Sequence, residues 1–469
     1  MAIKQDNDFR VLVAECPEYD QAKIKTIISQ GMATLGYKPH GNVVIKPNVV
    51  CAFPSVMWEK TAVTDFNMVA SAVRALAELP EVKRIDINET PAVGNPSRLA
   101  FKYSGYREGT NKLKAELSKP IDIKGMDEEH RVSRFIGGAV HDKVRLSRTF
   151  ANADTKIYMP KLKCHCVSHM TGTMKLNVGI VNFDDRAIRH DFMLNEKIAD
   201  LAAVGWPDFA IMDAIIVGVG NEALPIPRKL GLILMGRNGL AVDLIGARLL
   251  GIRGEKDVPY LEAIIKRGYK PATTEQVQVM GDAKSLADID RLAERIKPYN
   301  EEFYRWQDVN TEFKRMNSPL HLYFGPYSEN SDATCDTGCI MGIKMYLAFL
   351  EKYVGAEGFA KARPSIFVIG KIKEPIDAKG APVFVFGSCS QAEIKNAKFI
   401  SRINKCFVTA SDMFLIVGNR TGMKSPFFDP PFLSKYVASL LASMAVKTFN
   451  GRYLQDFGYY LDQHLFRKI

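Results

Sequence analysis

Short apolar runs alternate with amphipathic stretches along most of the chain, the pattern of an α/β protein built on a mostly parallel, doubly wound sheet. In the first half, the runs at 10–14, 42–45, 84–87, 155–159, 209–212 and 231–235 predict strands. Apolar residues recur at helical spacing over 22–35, 66–79 and 239–250, and Asp65, after Thr64, stands where the second of these helices needs a cap. These elements predict one α/β unit from about residue 1 to about 255. Residues 256–318 are charged, amphipathic and poor in β-branched runs, and read as a helical connecting segment with 288–296 its clearest helix. Beyond it, 365–370, 382–386 and 413–418 predict three buried strands and 340–354 a helix, so a second, smaller α/β domain is expected over about 319–469.

Composition narrows the class. Of 469 residues, 47% are hydrophobic and 25% charged, which excludes a disordered or fibrous chain. The net charge of +11 favours anionic small molecules or an acidic partner, and the absence of any dense basic run argues against specific nucleic-acid binding. The opening residues lack a signal-peptide core, so a cytoplasmic location is expected. No run approaches the ~18 apolar residues of a membrane span. The best late stretch, 436–449, is short, carries Lys447 and reads as a packed helix. Eight cysteines are too sparse for a disulfide scaffold, and in a reducing compartment they read as ligands or redox groups.

Ligands of open parallel sheets bind beyond the carboxyl ends of the strands, so polar residues just after predicted strands carry weight. Lys46 and Asn48 flank Pro47, Asn88 and Glu89 end the 84–87 run, Lys161, Lys163 and His165 follow Pro160, and Asp213 ends 209–212. The densest stretch, 160–179, packs Lys161, Lys163, His165, His169, Thr171, Thr173, Lys175 and Asn177, cations and hydroxyls suited to a carboxylate or phosphate. If the segment from Cys164 is helical, His165 and His169 share a face at the spacing of a metal pair, without a third nearby ligand. Cys164 and Cys166 read as buried small apolar groups. Gly218 and Gly220 lack the rest of a dinucleotide fingerprint, and no GxxxxGK[ST] occurs, so nicotinamide and P-loop nucleotides lose support.

Four cysteines fall in the second unit: Cys335 and Cys339 before the predicted 340–354 helix, Cys389 after a predicted strand, and Cys406. Four thiolates meet the needs of a [4Fe–4S] cluster or, as the alternative, a structural zinc site. The other reading is of scattered, buried thiols.

With these residues in view, the chain resembles the DUF362 family, mostly uncharacterised proteins often associated with iron–sulfur centres, over about residues 40–255. The resemblance rests on VVIKPNVV (43–50) with Thr64-Asp65, INETPAVGN (87–95), KYSGY (102–106), residues 160–179, MDAIIVGVGN (212–221) and GLILMGRNGLAVDLIGARLLG (231–251). It places Lys46, Asn48, Lys163, His165, Thr171, Lys175, Asn177 and Asp213 in recurrent motifs and implies no settled reaction. The second half resembles a C-terminal extension of some such proteins, in which a paired-cysteine loop precedes a helix and later cysteines follow strands. The pair here is separated by three residues where two are expected, Cys406 lacks the expected flanking Gly and Pro, and ferredoxin-type CxxCxxC repeats are absent.

The leading expectation is an iron–sulfur oxidoreductase acting on an anionic organic substrate, with an electron-transfer partner. His165 is the expected proton donor, Lys163, Asp213 and Glu89 share the catalytic site, and Lys46, Asn48, Lys161, His169, Thr171, Lys175 and Asn177 bind substrate. The alternatives are a non-redox isomerase, racemase or lyase with zinc or no metal, and a metabolite-binding or scaffold protein.

Overall fold

The computed structural model describes residues 5–92, 94–165, 167–188, 193–296, 306, 308–325, 338–406 and 408–461. Cys166 and Cys335 lie outside these described residues.

The larger sheet has ten strands. It runs from Gln278–Gly281 through Arg10–Glu15, Pro225–Gly236, Phe209–Gly220, Thr155–Met159, Gly41–Pro47 and Val82–Glu89 to Ile121–Gly125. Neighbours are parallel except where Pro225–Gly236 runs antiparallel to the strand on each side. Lys161–His165 leaves the main path, parallel to Phe209–Gly220, and turns back as His169–Thr171. Every strand expected in the first half is present, and all but Thr155–Met159 run beyond the expected segment, Phe209–Gly220 and Pro225–Gly236 by the most.

Alternation along the central strands packs both faces, as a period of two requires. Ile211, Ile233 and Met235 share a core with Ile24, Ile28, Val69 and Val73 of the helices Gln21–Thr34 and Phe66–Ala77. Ala210, Met212, Leu232 and Leu234 pack instead with Ile198 and Ala202 of Leu194–Gly205 and Leu240 and Leu244 of Gly239–Leu249. Asp65 caps Phe66–Ala77 by accepting from the Asn67 amide at 2.8 Å. The connecting segment holds the helices Pro259–Lys266 and Leu286–Ala293, and its strand Gln278–Gly281 joins the larger sheet beside Arg10–Glu15.

The second sheet is parallel, in the order Leu320–Phe324, Ser365–Lys371, Val383–Gln391, Ile400–Ile403. The expected strand at 413–418 is instead part of the helix Ala410–Val417. An apolar run that short suits either state. Here Thr409 decides it: its Oγ1 accepts from the Asp412 amide at 3.2 Å while Asp412 Oδ2 accepts from the Thr409 amide at 2.8 Å, a reciprocal helix start. The expected helix at 340–354 lies within Cys339–Ala360, which breaks at Gly355, where φ is 67°. The 436–449 stretch is helical, within Pro430–Phe449, but it is not a packed helix: Val437, Leu440, Leu441 and Met444 are exposed. Among the described residues no helix is long and apolar enough to cross a membrane.

One core runs through both units. Phe53 meets Phe349 at 5.4 Å between ring centroids, and Phe414 stacks on Phe427 at 4.8 Å. The second unit thereby covers the strand ends of the first.

Candidate functional site

Between the two units lies a cavity of about 210 Å³. Its floor is built by strand ends. Lys46 is the penultimate residue of Gly41–Pro47, and Glu89 is the last of the neighbouring strand Val82–Glu89. Both are buried, and Lys46 Nζ donates to Glu89 Oε1 and Oε2 at 2.8 and 3.0 Å. The Glu89 carboxylate also accepts from the amides of Val49 at 3.3 Å and Thr90 at 2.7 Å. Burial lowers the proton affinity of the Lys46 amine, a shift its carboxylate partner opposes. Gly179 passes close to this pair: a Cβ there would lie 2.9 Å from both Glu89 Oε1 and Lys46 Nζ. Asn48 holds the chain after Pro47 by donating from Nδ2 to the Ala62 carbonyl at 3.2 Å.

The second wall comes from the strand pair Lys161–His165 and His169–Thr171, whose register sets Lys163 opposite Thr171 and His165 opposite His169. The expected helix from Cys164 is therefore a β-turnback, and the i, i+4 metal pair does not form. His165 Nδ1 accepts from the amides of Val167 at 3.1 Å and Ser168 at 3.3 Å, which assigns the ring proton to Nε2. That nitrogen faces Glu222 Oε1 at 3.8 Å. Burial pushes His165 down to about 3, so the imidazole is neutral at pH 7 and is not the near-neutral proton donor its type predicts. Lys163 has the near-neutral group instead. Its Nζ donates to the carbonyls of Ala62 at 2.6 Å and Glu222 at 2.5 Å, and desolvation lowers it to about 7. Lys175 enters from the turn Met174–Gly179, which Asp243 anchors by accepting from the amides of Thr173 at 2.5 Å and Met174 at 2.9 Å.

The structure thus gathers Lys46, Asn48, Glu89, Lys163, His165, Thr171 and Lys175 around one cavity. Four expected site residues do not line it. Asp213 accepts from Tyr19 Oη at 2.9 Å, the Asp65 amide at 3.0 Å and Lys161 Nζ at 3.0 Å, so Asp213 and Lys161 form a buried pair inside the fold. Asn177 is buried and accepts from Tyr158 Oη at 2.8 Å, and His169 Nδ1 pairs with the Asp257 carbonyl. The sequence reading missed Glu222, Thr90, Asn95 and Arg186, all of which line the cavity. Thr90 and Asn95 sit inside the INETPAVGN block, and Glu222 directly follows MDAIIVGVGN.

The roof belongs to the second unit: Met341, Gly342 and Met345 of Cys339–Ala360, Phe349 of the same helix, Ala410, Ser411 and Phe414 of Ala410–Val417, and Phe427. The N-terminal end of Cys339–Ala360 also borders a second, smaller pocket lined by Cys339, Cys389, Cys406, Lys405 and Gly338, Gly370 and Gly387. A Cβ at Gly387, where φ is +101°, would lie 3.1 Å from Cys339 Sγ and 3.7 Å from Cys389 Sγ. The Val408 amide donates to Cys339 Sγ at 3.3 Å. Three thiols from three elements, glycine backbone and an N–H on one sulfur suit an iron–sulfur cluster, with Cys335 four positions before Cys339. Among the described residues, no three His, Cys, Asp or Glu side chains converge on a single ion.

The chain is 24% identical over 320 residues to the thylakoid-associated protein sll1697 of Synechocystis sp., a match covering 65% of this chain and 94% of that one. The lactate racemase apoprotein of Thermoanaerobacterium thermosaccharolyticum overlaps 52% of this chain at 11% identity with a TM-score of 0.34. A Thermotoga maritima protein solved by a structural genomics consortium overlaps 54% at 12% identity with a TM-score of 0.32. The chain spans 57% and 60% of the lengths of these two structures. Residues 43–248 match DUF362, a domain of unknown function, and they include Lys46, Glu89, Lys163, His165, Lys175 and Glu222. This stretch, which supplies the polar floor and inner wall of the cavity, is the part of the chain that matches the DUF362 family.

Proposed function

We propose that this protein is an iron–sulfur oxidoreductase that acts on an anionic small organic molecule in the large cavity, with Cys335, Cys339, Cys389 and Cys406 holding a [4Fe–4S] cluster. The observation that carries the reading is the common wall of the two pockets. Cys339 lines the thiol pocket while Met341 and Met345, on the same helix, line the cavity. Likewise Cys406 lines the thiol pocket, and Thr409 and Ala410 line the cavity. A bound cluster supplies one-electron transfer. Everything else falls to side chains: Lys175 and Arg186 draw the anion in, Lys163 gives up or takes a proton near neutral pH, and the aromatic roof excludes water. Exposed Cys406 beside Lys405 supports an approach to the thiol pocket by an acidic electron-transfer partner.

The test is anaerobic purification with iron, acid-labile sulfide and zinc measured on one sample, together with the absorption spectrum. About four irons and four sulfides per chain are expected. Zinc at one equivalent without sulfide removes the redox reading.

A second reading has its own support. Lys163, His165 and Glu222 form an acid–base group set in the first unit, independent of the thiols. An isomerase, racemase or lyase would need only that group, with zinc or no metal at the cysteines. Turnover that survives Cys389→Ser but not Lys163→Met would favour it.

A further inference from the structure

The cavity is divided into a polar end and an apolar end, and the polar end contains unused hydrogen-bonding capacity. Thr90, Asn95 and Arg186 are each more than nine-tenths buried. Yet among the described residues Thr90 Oγ1, both side-chain polar atoms of Asn95 and Arg186 Nε have no hydrogen-bond partner. Buried polar groups are ordinarily hydrogen-bonded, so these atoms mark where a polar group of a ligand would be received. The Arg186 guanidinium is anchored through its other two nitrogens: Nη1 donates to the Pro91 carbonyl at 2.5 Å and Nη2 to the Val181 carbonyl at 3.2 Å. It therefore presents a fixed positive charge whose Nε–H has no partner among the described residues. The cavity lining as a whole holds Lys46, Lys163, Lys175 and Arg186 against the carboxylates of Glu89 and Glu222, an excess of positive charge.

The apolar end lies next to this cluster. Gly94 abuts Ser411, whose Cβ would lie 2.8 Å from a Cβ at Gly94, so the loop carrying Asn95 touches the helix that carries Phe414. Phe414 stacks on Phe427 at 4.8 Å and Phe53 approaches Phe427 at 6.3 Å, giving an aromatic wall within reach of the polar groups.

We infer that the substrate is a monocarboxylic acid with an aromatic or bulky apolar body, its carboxylate held by Arg186, Asn95 and Thr90 and its body packed against Phe53, Phe414 and Phe427. A carboxylate suits the site better than a phosphate does on charge: its single negative charge answers the one Arg186 guanidinium, since Lys46 in the same lining is already paired with Glu89, whereas a phosphate dianion brings twice the charge. The inference rests on reading the cavity as the substrate site and does not depend on what the thiols hold.

The test is calorimetric titration of the full chain, purified anaerobically, with 3-phenylpropionate, acetate, 3-phenylpropan-1-ol and phenyl phosphate. Burying the phenyl group should make 3-phenylpropionate bind about a hundredfold tighter than acetate. The charged head should make it bind at least ~10-fold tighter than the alcohol. Asn95→Leu and Arg186→Met should erase the preference for acid over alcohol, and Phe427→Ala should erase much of the preference over acetate. Asn95→Leu, which removes no buried charge, keeps the test alive if Arg186→Met does not fold. Equal binding of acetate, equal binding of the alcohol, tighter binding of phenyl phosphate, or no binding by any probe each overturns the inference. A chain lacking iron and sulfide that binds 3-phenylpropionate as described overturns the redox reading alone. A chain with a full cluster that binds none of the probes overturns this inference alone.

Discussion

The buried pair of Lys46 and Glu89 gives the sharpest quantitative expectation. Both side chains are almost fully inaccessible, and the ammonium lies 2.8 and 3.0 Å from the two carboxylate oxygens. Removing one member of such a pair leaves an uncompensated buried charge and costs about 3–5 kcal/mol. Lys46→Met strands the Glu89 carboxylate with only the amides of Val49 and Thr90. Glu89→Leu strands the ammonium, which at pH 7 escapes by losing its proton. For an amine of ordinary value 10.5 that escape costs roughly 5 kcal/mol, the same order as the first substitution. The double variant loses both charges and their attraction together, leaving two orphaned amides at ~1–3 kcal/mol each. The singles therefore sum to well above the double, with a coupling energy of about 2 kcal/mol or more. Urea unfolding of the four chains at pH 7, followed by far-ultraviolet circular dichroism, measures it from the midpoints at constant slope. A Lys46→Met cost below about 1 kcal/mol, or single-variant effects that add up to the double, refutes the reasoning.

Other expectations follow from the same geometry. Gly179→Ala pushes a methyl group into that pair and should cost about 1–3 kcal/mol in the same unfolding assay. Lys163 titrates at about 7 in the fold against an ordinary 10.5, so the native chain sheds a proton that the unfolded chain keeps. Wild-type stability should accordingly rise with pH above 7, relative to Lys163→Met, by up to ~1.4 kcal/mol per unit, and parallel curves from pH 7 to 9 would contradict the assignment. Asp243 is raised to about 6 from 3.8 by burial, so its contribution is greatest in acid and is lost as pH rises towards 6; the stability difference between wild type and Asp243→Asn should move in that sense from pH 4 to 6 and level off above. Cys389→Ser should lower iron and sulfide content at least twofold without lowering the unfolding midpoint of the larger sheet, checked by metal analysis beside denaturation.

Much of the framework was legible because the strands are continuous apolar runs and the helices repeat at 3.6 residues. The site was legible where strands end close to their apolar runs and in the polar stretch 160–179. Gly41–Pro47 ends one residue after Lys46 and Val82–Glu89 ends at Glu89, and both residues line the cavity, as do Lys163, His165, Thr171 and Lys175. Asp213 misled because it interrupts an apolar run without ending it. The strand continues to Gly220, the buried carboxylate is taken up by Tyr19, Asp65 and Lys161, and the residue delivered to the cavity is Glu222. His165 and His169 misled through a spacing that fits a helix as well as a tight antiparallel turn. Arg186 could not be found by pattern, since two of its three nitrogens are held by carbonyls and it belongs to the five-residue helix Phe183–Ala187. Of the roof, the 340–354 helix was readable as helix and the 413–418 run was misread as a strand, and neither was readable as roof, because which core covers a strand edge is settled by contacts between residues hundreds of positions apart.

That division of labour has an electrostatic consequence. Cut the polypeptide before its second sheet and the charged side chains would all remain, but as a trough open to bulk solvent, where attraction between an ammonium and a carboxylate is a small fraction of its value in a dry setting. Insulation of those charges is contributed by a segment outside the stretch that matches DUF362.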